Sequence, residues 1–380
     1  MIVGLGLLLL VLLGFSMIQG NEAPAESGAV LANAETDITG YARAIDPWDW
    51  EFPQDFGAHP EFQTEWWYYT GSLAADDGRR FGFQFTVFRR AITPTIEQTE
   101  SEWRTNQVYM AHFAVSDVAG EQFYHESRLA RGAADLAGAT VDPVYRVWLQ
   151  DWEVTALDPE ASQTRIQAAT DAVALDLVLE QSKPPALQGI NGLSAKSDQI
   201  GNASYYYSLS RLETEGEVRI GDRTFAVTGT AWKDHEFGTS ALGEDALGWD
   251  WFGLQFDDGR EVMVGQIRLI DGGKDPYFGG LLVNADGSTQ LLPAETITIE
   301  ANDTWTSPHT GATYPAGWTI RLDIGEAAPL TFQVEPLMAD QELHGSGIAY
   351  WEGAVQLRGD VTGYGYAELT GYADSLTGRF

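Results

Sequence analysis

The chain has 380 residues, more than one hydrophobic core usually organises, so two domains are expected. Its formal charge of −33, from 22 basic and 55 acidic residues, argues against nucleic acids and anionic membrane surfaces as partners. The absence of cysteine excludes a disulfide framework, a thiol nucleophile and lipid attachment through cysteine.

The first 20 residues contain an apolar run that predicts an export signal or an N-terminal anchor. Residues 21–44 are largely polar and small, as in a flexible linker. No Lys or Arg occurs before Arg43, so the basic start of an ordinary signal peptide is missing. We expect a periplasmic or extracellular protein, with an uncleaved segment that holds it at the membrane as the alternative.

From residue 45 onward the sequence predicts short strands and turns, without a convincing long amphipathic helix. Two DDGR sequences, at 76–79 and 257–260, are typical of tight turns between paired strands. The predicted strands lie within these ranges: 81–90, 108–117, 144–157, 173–181, 203–214, 224–238, 249–271, 288–300, 317–325, 330–337, 350–359 and 363–372.

A weak internal repeat suggests that the strands form two similar units. EWWYYTGSL followed by DDGRRFGFQF in the first half resembles GWDWFGLQF followed by DDGREVMVGQI in the second. So many strands exceed what one small barrel needs. We therefore predict an all-β protein of two antiparallel β-barrel domains, residues 45–240 and 241–380, divided near the small, acidic sequence TSALGEDALG.

Four aromatic residues in a row, at 66–69, mark the predicted strand EWWYYTG. Because a strand sends successive side chains to opposite sides, Trp66 and Tyr68 share one face, and Trp67 and Tyr69 share the other. One face is expected to join a core and the other to line a cleft. The same split is expected for the tyrosines of SYYYS, at 204–208.

The densest group of ionisable residues is Asp234, His235 and Glu236, between Trp232 and Phe237. A carboxyl group against an aromatic wall is desolvated and stays protonated near neutral pH, where it can donate a proton. An imidazolium could do the same. The alternative is a turn with solvated charges.

Two further carboxylates stand beside tryptophans: Glu65 before Trp66, and Asp250 between Trp249 and Trp251. Three such groups in one chain favour a pocket. The six histidines show neither HxH nor HExxH spacing, and no phosphate loop or dinucleotide fingerprint follows a strand. We expect chemistry without a metal or a cofactor.

Six segments together resemble the carotenoid 1,2-hydratase (hydroxyneurosporene synthase) superfamily, and most closely its AttH-like branch, often described as predicted secreted hydrolases. They are FGAHPEFQTEWWYYTGSL, AHFAVSDVAGEQFYHESRLARG, GNASYYYSLSRL, GTAWKDHEFG, GWDWFGLQFDDGREVMVGQIR and YWEGAVQLRGDVTGYGYAELTGY. The resemblance implies two lipocalin-like barrels with a ligand cleft at or between them. Kievitone hydratase and certain fungal pericyclases share this fold.

The resemblance also implies a chemistry. Hydratases of the superfamily protonate a terminal C=C bond and add water to the resulting cation, without metal or redox cofactor. Their site includes a His with an aromatic residue two positions later, which His235 and Phe237 match. It also includes a Tyr-x-Asp pair on a later strand, but the strand at that spacing, EVMVGQIR, has Gln266 near the acid's place.

The acid is therefore expected to be Asp234 or Glu236, and then Glu65, with His235 as the remaining catalytic candidate. The expected substrate-binding residues are Trp66, Trp67, Tyr68, Tyr206, Trp232, Phe237, Trp249, Trp251, Gln266 and Trp351.

Three interpretations remain open from the sequence. The first is an exported hydratase, isomerase or hydrolase that acts on a hydrophobic small molecule such as an isoprenoid or lipid. The second is an exported lipocalin-like carrier of a hydrophobic ligand, associated with a membrane transporter and without a stable protein partner. In the third, the paired aromatics only form the interface between two β-domains.

Overall fold

A computed structural model describes residues 38–95, 101–239, 242–243, 245–345 and 347–375. The predicted signal or anchor at 1–20, the linker up to residue 37 and the predicted domain boundary at 240 lie outside these residues. Within them, no helix is long and apolar enough to cross a membrane. The only helices there are three 3₁₀ turns, Gln54–Phe56, Val118–Gly120 and Ala294–Thr296.

Thirteen antiparallel strands form the first sheet, which curves into a nearly closed barrel. Their order is β4-β3-β2-β1-β13-β12-β9-β8-β7-β6-β5, and β10 and β11 also pair with β12. The strands are β1 Thr64–Ala75, β2 Arg80–Ala91, β3 Gln107–Asp117, β4 Gln122–Arg131, β5 Ala137–Thr140, β6 Arg146–Leu149, β7 Trp152–Ala156, β8 Gln163–Ala169, β9 Val173–Gln181, β10 Ala186–Leu187, β11 Leu193–Ala195, β12 Ala203–Ile220 and β13 Arg223–Gly238.

Ten antiparallel strands form the second nearly closed barrel, in the order β17-β16-β15-β14-β25-β24-β22-β21-β18, with β23 paired to β24. Strands β19 and β20 form a separate hairpin. The strands are β14 Ala246–Phe256, β15 Glu261–Leu269, β16 Gly280–Val283, β17 Thr289–Leu292, β18 Ile297–Ala301, β19 Thr304–Thr306, β20 Thr313–Pro315, β21 Trp318–Leu322, β22 Leu330–Pro336, β23 Glu342–Leu343, β24 Tyr350–Gly359 and β25 Gly363–Leu369.

The all-β, two-barrel prediction is thus confirmed, and so are both DDGR turns, which join β1 to β2 and β14 to β15. Several short or half-buried strands were missed, among them β4, β8 and β16. The reason is clearest for β4, an edge strand whose residues are nearly all half-buried. Such a strand has no alternation of apolar and polar positions to recognise.

Alternation along β1 explains how the aromatic run is used. Trp67 and Tyr69 are almost fully buried in the core of the first barrel. Trp66 and Tyr68 lie on the opposite face, towards the second barrel, where they pack in a separate cluster with Trp251. One strand therefore supplies both a barrel core and the surface between the barrels, as its sequence predicts.

The two barrels pack through the outer faces of β1, β2, β12 and β13 on one side and of β14, β15, β24 and β25 on the other. The buried Glu261 carboxylate of β15 accepts from Lys183 at 2.7 Å and from Arg211 at 2.6 Å, both from the first barrel. Gln255 of β14 donates to the Ala231 carbonyl at 2.9 Å. These contacts fix the second barrel against the first beside the aromatic cluster.

Candidate active site

A cavity lies between the barrels, and about 750 Å³ of space free of protein atoms, part of it open solvent at the mouth, lies within its walls. Its walls are mostly aromatic or aliphatic, with three carboxylates and one lysine. The lining residues are Trp66, Tyr68, Phe88, Lys196, Tyr206, Asp234, Glu236, Leu242, Trp249, Trp251, Ile267, Phe278 and Glu368.

Strand β13 brings two of the predicted catalytic residues to this cavity. Asp234 and Glu236 line it, and Trp232 of the same face packs beside it. The intervening Lys233 and His235 face the interior of the first barrel, because the strand alternates. The four consecutive ionisable residues 233–236 thus divide between two separate environments.

Asp234 is held by three donors. Tyr206 Oη lies 2.6 Å from Oδ2, and Ser208 Oγ and Trp232 Nε1 lie 2.5 and 2.6 Å from Oδ1. Burial raises the pKa of Asp234 to about 7, against the opposing effect of these hydrogen bonds and with a contribution from the Glu236 charge. A buried carboxyl group that titrates near neutral pH can either donate or accept a proton.

Glu368, on β25, is a second carboxyl group of this kind, and the sequence reasoning missed it. It accepts a hydrogen bond from Trp249 Nε1 at 3.0 Å. Burial, reinforced by the charges of Asp234 and Glu236, raises its pKa to about 7. A signal was present in GYGYAELTGY, because Tyr366 and Glu368 form a Tyr-x-acid pair that faces the other barrel, although not on EVMVGQIR, the strand that matches the family's spacing.

Glu236 differs from these two because a cation neutralises it. Lys196 Nζ lies 2.9 Å from its Oε1, and the Ser204 hydroxyl donates to the same oxygen. The lysine also sits 4.5 Å from the centre of the Phe278 ring. Glu236 is therefore the ion-paired carboxylate of the cavity, while Lys196 closes part of its wall.

Behind Tyr68 lies a fourth carboxyl group. Tyr68 Oη donates to Glu352 Oε2 at 2.8 Å, and Oε1 of Glu352 has no partner among the described residues. Burial, together with the Glu368 charge, raises the pKa of Glu352 well above its usual value. Burial thus favours the neutral form of Glu352, which lies behind the tyrosine hydroxyl.

The other two predicted catalytic residues, Glu65 and His235, do not line the cavity. They lie in the interior of the first barrel, where His235 Nε2 is 2.8 Å from Glu65 Oε1. Arg89 Nε and His59 Nδ1 also bond the Glu65 carboxylate, each at 2.8 Å. Burial lowers the pKa of His235 to about 4, so its ring is neutral.

His59, Glu65 and His235 bring three potential metal ligands within 4.8 Å of one another. The surrounding charges argue against a cation there. Arg89 already neutralises Glu65, and although burial opposes it, the hydrogen bonds that His59 donates to Asp55 and Glu65 raise the pKa of His59 to about 9. Burial alone would raise the pKa of Glu65, but Arg89 and the two histidines hold it well below its usual range. The group forms a hydrogen-bonded ion network.

Four of the predicted substrate-binding residues also lie outside the cavity. Trp67 and Phe237 belong to apolar clusters of the first barrel. Trp351 packs in the core of the second barrel, and Gln266 donates to Asp250 Oδ2 at 2.6 Å inside the same barrel. The remaining predicted residues, apart from the adjacent Trp232, line the cavity: Trp66, Tyr68, Tyr206, Trp249 and Trp251.

Besides Glu368, the sequence reasoning missed the lining residues Lys196, Phe88, Leu242, Ile267 and Phe278. Apolar residues such as Ile267 are indistinguishable in sequence from core positions of the same strand. Lys196 follows the short strand β11, where no pattern pointed to a site. These side chains reach the cavity only because the two barrels pack together.

The comparisons with known proteins agree with this architecture. A family profile described as AttH-like matches residues 43–372. A crystallised protein from Nitrosomonas europaea, described as a candidate AttH, is 36% identical with a TM-score of 0.76, and the match covers 87% of this chain and 99% of that one. No curated protein sequence matches the chain.

Two more distant structures share the fold. Kievitone hydratase from Nectria haematococca is 14% identical with a TM-score of 0.64, over 88% of this chain and 99% of its own. CghA is 12% identical with a TM-score of 0.51, over 87% and 96%. At these identities the likeness concerns the fold alone.

Proposed function

Because this chain belongs to the AttH-like family, whose fold encloses the cavity described above, we propose that it is an acid–base enzyme of the hydratase type. Its substrate is a hydrophobic small molecule that carries a C=C bond, such as an isoprenoid. One observation carries the proposal: two buried carboxyl groups, Asp234 and Glu368, have pKa values raised to about 7 inside an aromatic cavity.

Glu368 is the proposed proton donor. Its protonated carboxyl group gives a proton to one alkene carbon, and the π electron pair forms the new C–H bond. The other carbon becomes a cation, which the faces of Trp66, Trp249 and Trp251 can stabilise. A carboxyl group with a pKa near the working pH is suited to this step. A substantial fraction of it is protonated, and it is still acidic enough to transfer its proton.

Asp234 is the proposed proton acceptor. Water adds to the cation through an oxygen lone pair, and the resulting oxonium passes one proton to the Asp234 carboxylate, leaving the alcohol. Three hydrogen bonds keep this carboxylate in a fixed position. One turnover moves a proton from Glu368 to Asp234, and exchange with solvent restores the starting state.

Kievitone hydratase shares the fold, and its name describes an enzyme of the reaction type proposed here. The apolar walls support a hydrophobic substrate, and the single cation of the lining is already paired with Glu236. A strongly anionic substrate would therefore meet three carboxyl groups and no free positive charge among the described lining residues.

The test is the addition of water to two probes, kievitone and geraniol, in D2O, followed by mass spectrometry of the products. The wild-type protein should form an alcohol with carbon-bound deuterium. Glu368→Gln removes the proton donor and should lower the rate by about 10²- to 10⁴-fold without a large loss of stability. Glu335→Gln is the matched control, because Glu335 is an exposed carboxylate on β22.

Equal product formation by Glu368→Gln and the wild type would contradict the assignment of the acid. The carrier alternative makes a different prediction, since a carrier retains its ligand unchanged. If native mass spectrometry of protein from its own host shows an unmodified hydrophobic ligand and neither probe is converted, the enzyme proposal is wrong.

A further inference from the structure

Lys233 lies in the interior of the first barrel, where a charged side chain is unusual. It is 2% exposed, and the described residues offer it no carboxylate partner. Nζ lies 3.1 Å from Tyr207 Oη. The rings of Phe56, Tyr69, Tyr145 and Tyr207 surround it, with centres 4.4 to 5.7 Å from Nζ.

Burial among these rings disfavours the ammonium form of the lysine. Burial lowers the pKa of Lys233 well below its usual value, and the nearby His235 is neutral. A neutral amine keeps its lone pair and is a nucleophile at neutral pH. The other three lysines differ: Lys183 and Lys196 are ion-paired, and Lys274 is exposed.

A small cavity adjoins this amine. It is bounded by Lys233, Tyr69 and Tyr145 and extends to the exposed Ser162, and about 250 Å³ of space free of protein atoms, including open solvent at the mouth, lies within it. This cavity is separate from the one between the barrels, because Lys233 and Asp234 point to opposite sides of β13. The cavity is narrow, so it admits only the smallest molecules.

A chain of hydrogen bonds leads away from the amine. Lys233 contacts Tyr207 Oη, which lies 3.0 Å from His235 Nδ1, and His235 Nε2 lies 2.8 Å from Glu65. The neutral imidazole donates through Nε2 to the carboxylate, so its Nδ1 accepts from the tyrosine. The Tyr207 hydroxyl is thereby placed to exchange protons with any group bonded to Lys233.

We propose that Lys233 is a carbonyl-reactive amine that binds short-chain aldehydes as an imine inside the first barrel. The amine lone pair attacks the carbonyl carbon and forms a carbinolamine. Loss of one water molecule then gives the C=N bond, so aldehyde and amine yield imine and water without an oxidant or a reductant. Tyr207 gives its proton to the departing hydroxyl group and takes up the N–H proton of the resulting iminium, and His235 with Glu65 positions this tyrosine.

This inference does not depend on the proposed hydratase activity, because it concerns another cavity and another face of β13. It gives the His235–Glu65 network, which does not reach the interdomain cavity, a role as positioning residues. The ligand class follows from the nucleophile and from the volume of the cavity. Bulky or strongly charged carbonyl compounds do not fit the aromatic walls.

Reductive trapping tests the proposal in the full chain. The protein is incubated with acetaldehyde and cyanoborohydride at about pH 6, where an ordinary lysine with a pKa near 10.4 is almost entirely protonated. Peptide mapping should show ethylation of Lys233 at least about tenfold above that of Lys274. Benzaldehyde, which is bulkier, should label Lys233 less than acetaldehyde does.

Lys233→Met should abolish the selective label, and Tyr207→Phe should slow its formation while the melting temperature changes little. The comparison of Lys233 with Lys274 within one wild-type molecule decides the question even if a variant does not fold. Labelling of Lys274 with an unmodified Lys233, or equal labelling of both, would overturn the proposal.

Discussion

At the scale of single residues, chemical environment changes completely between neighbours. Asp234 and His235 are adjacent, yet the first titrates near pH 7 beside the interdomain cavity and the second near pH 4 inside a barrel. Both shifts have the same cause, burial, which disfavours the charged form of each group. The segment WKDHEF therefore contributes side chains to two separate environments. Only the alternation of positions along the strand shows which face, and so which environment, a residue belongs to.

Phe278 is a residue whose position has a direct consequence for the cavity. It lines the interdomain cavity and also a groove at the end of β15, so its ring forms the wall between them. Gly265 permits this, since a Cβ atom there would lie 2.4 Å from Phe278 Cε1. The ring is thus positioned to limit the length of a bound molecule.

Phe278→Ala should join the cavity to the groove and admit longer molecules. We would measure the dissociation constants of a series of 4-n-alkylphenols by the fluorescence of the cavity tryptophans. In the wild type the affinity should stop rising at a chain length that Phe278 sets, and in the variant it should continue to rise with longer chains, by about 0.8 kcal/mol for each further buried methylene.

Tyr277→Ala is the matched control, because Tyr277 is the exposed neighbour of Phe278, with 53% of its surface accessible. This change should leave the chain-length limit where it is. An identical limit in the wild type and Phe278→Ala would show that the ring does not separate the two spaces.

At the scale of elements, β1 and β13 are neighbouring strands that each use both of their faces. They pair along their length, with Trp66 opposite Glu236 and Trp67 opposite His235. One face of this pair closes the barrel core and the other forms the floor of the cavity. Substitutions at adjacent positions should therefore separate stability from binding.

Trp67→Ala should lower the free energy of unfolding by about 3–5 kcal/mol, because it removes a fully buried ring from the core. Trp66→Ala only enlarges an existing cavity, so its cost should be roughly 1 kcal/mol. Ligand affinity should respond in the reverse order, with the larger loss in Trp66→Ala. Urea unfolding and alkylphenol titration of the same two proteins measure both quantities.

If both variants lose stability equally and bind the probe as the wild type does, the paired aromatics only join the two barrels. That result would restore the interface interpretation of these residues.

At the scale of the whole molecule, the sequence predicts the architecture well and the site only in part. Alternating strands and two DDGR turns are local signals, so they indicate the barrels directly. The alternation of side chains along a strand also predicts that one face of EWWYYTG lines a cleft. What it does not predict is which residues of the second barrel complete that cleft, because this depends on how the barrels pack.

Glu368 illustrates the limit. It lies on the last strand, in a tyrosine-rich segment without another carboxylate, and meets Asp234 only in the assembled molecule. The same holds in reverse for Gln266, which the resemblance placed near the position of the family's acid. Its side chain points into the second barrel and bonds Asp250. The spacing of motifs along the chain identified a strand that reaches the cavity, but it did not identify which face of that strand points to the cavity.

The central claim is that packing of the two barrels keeps carboxyl groups protonated up to about pH 7. A carboxyl group whose pKa is raised by folding binds a proton that the unfolded chain releases. Its contribution to stability is therefore present below about pH 4 and is lost as the pH rises through about 7.

The most direct measurement is a ¹³C NMR titration of protein labelled at the glutamate side-chain carboxyl carbon, with Glu368→Gln for assignment. We predict a resonance with a midpoint near pH 7 that is absent from the variant, and a smaller fall of the melting temperature between pH 4 and 7 in the variant. If the resonance lost in Glu368→Gln titrates near pH 4.3, as an ordinary glutamate does, the account is contradicted.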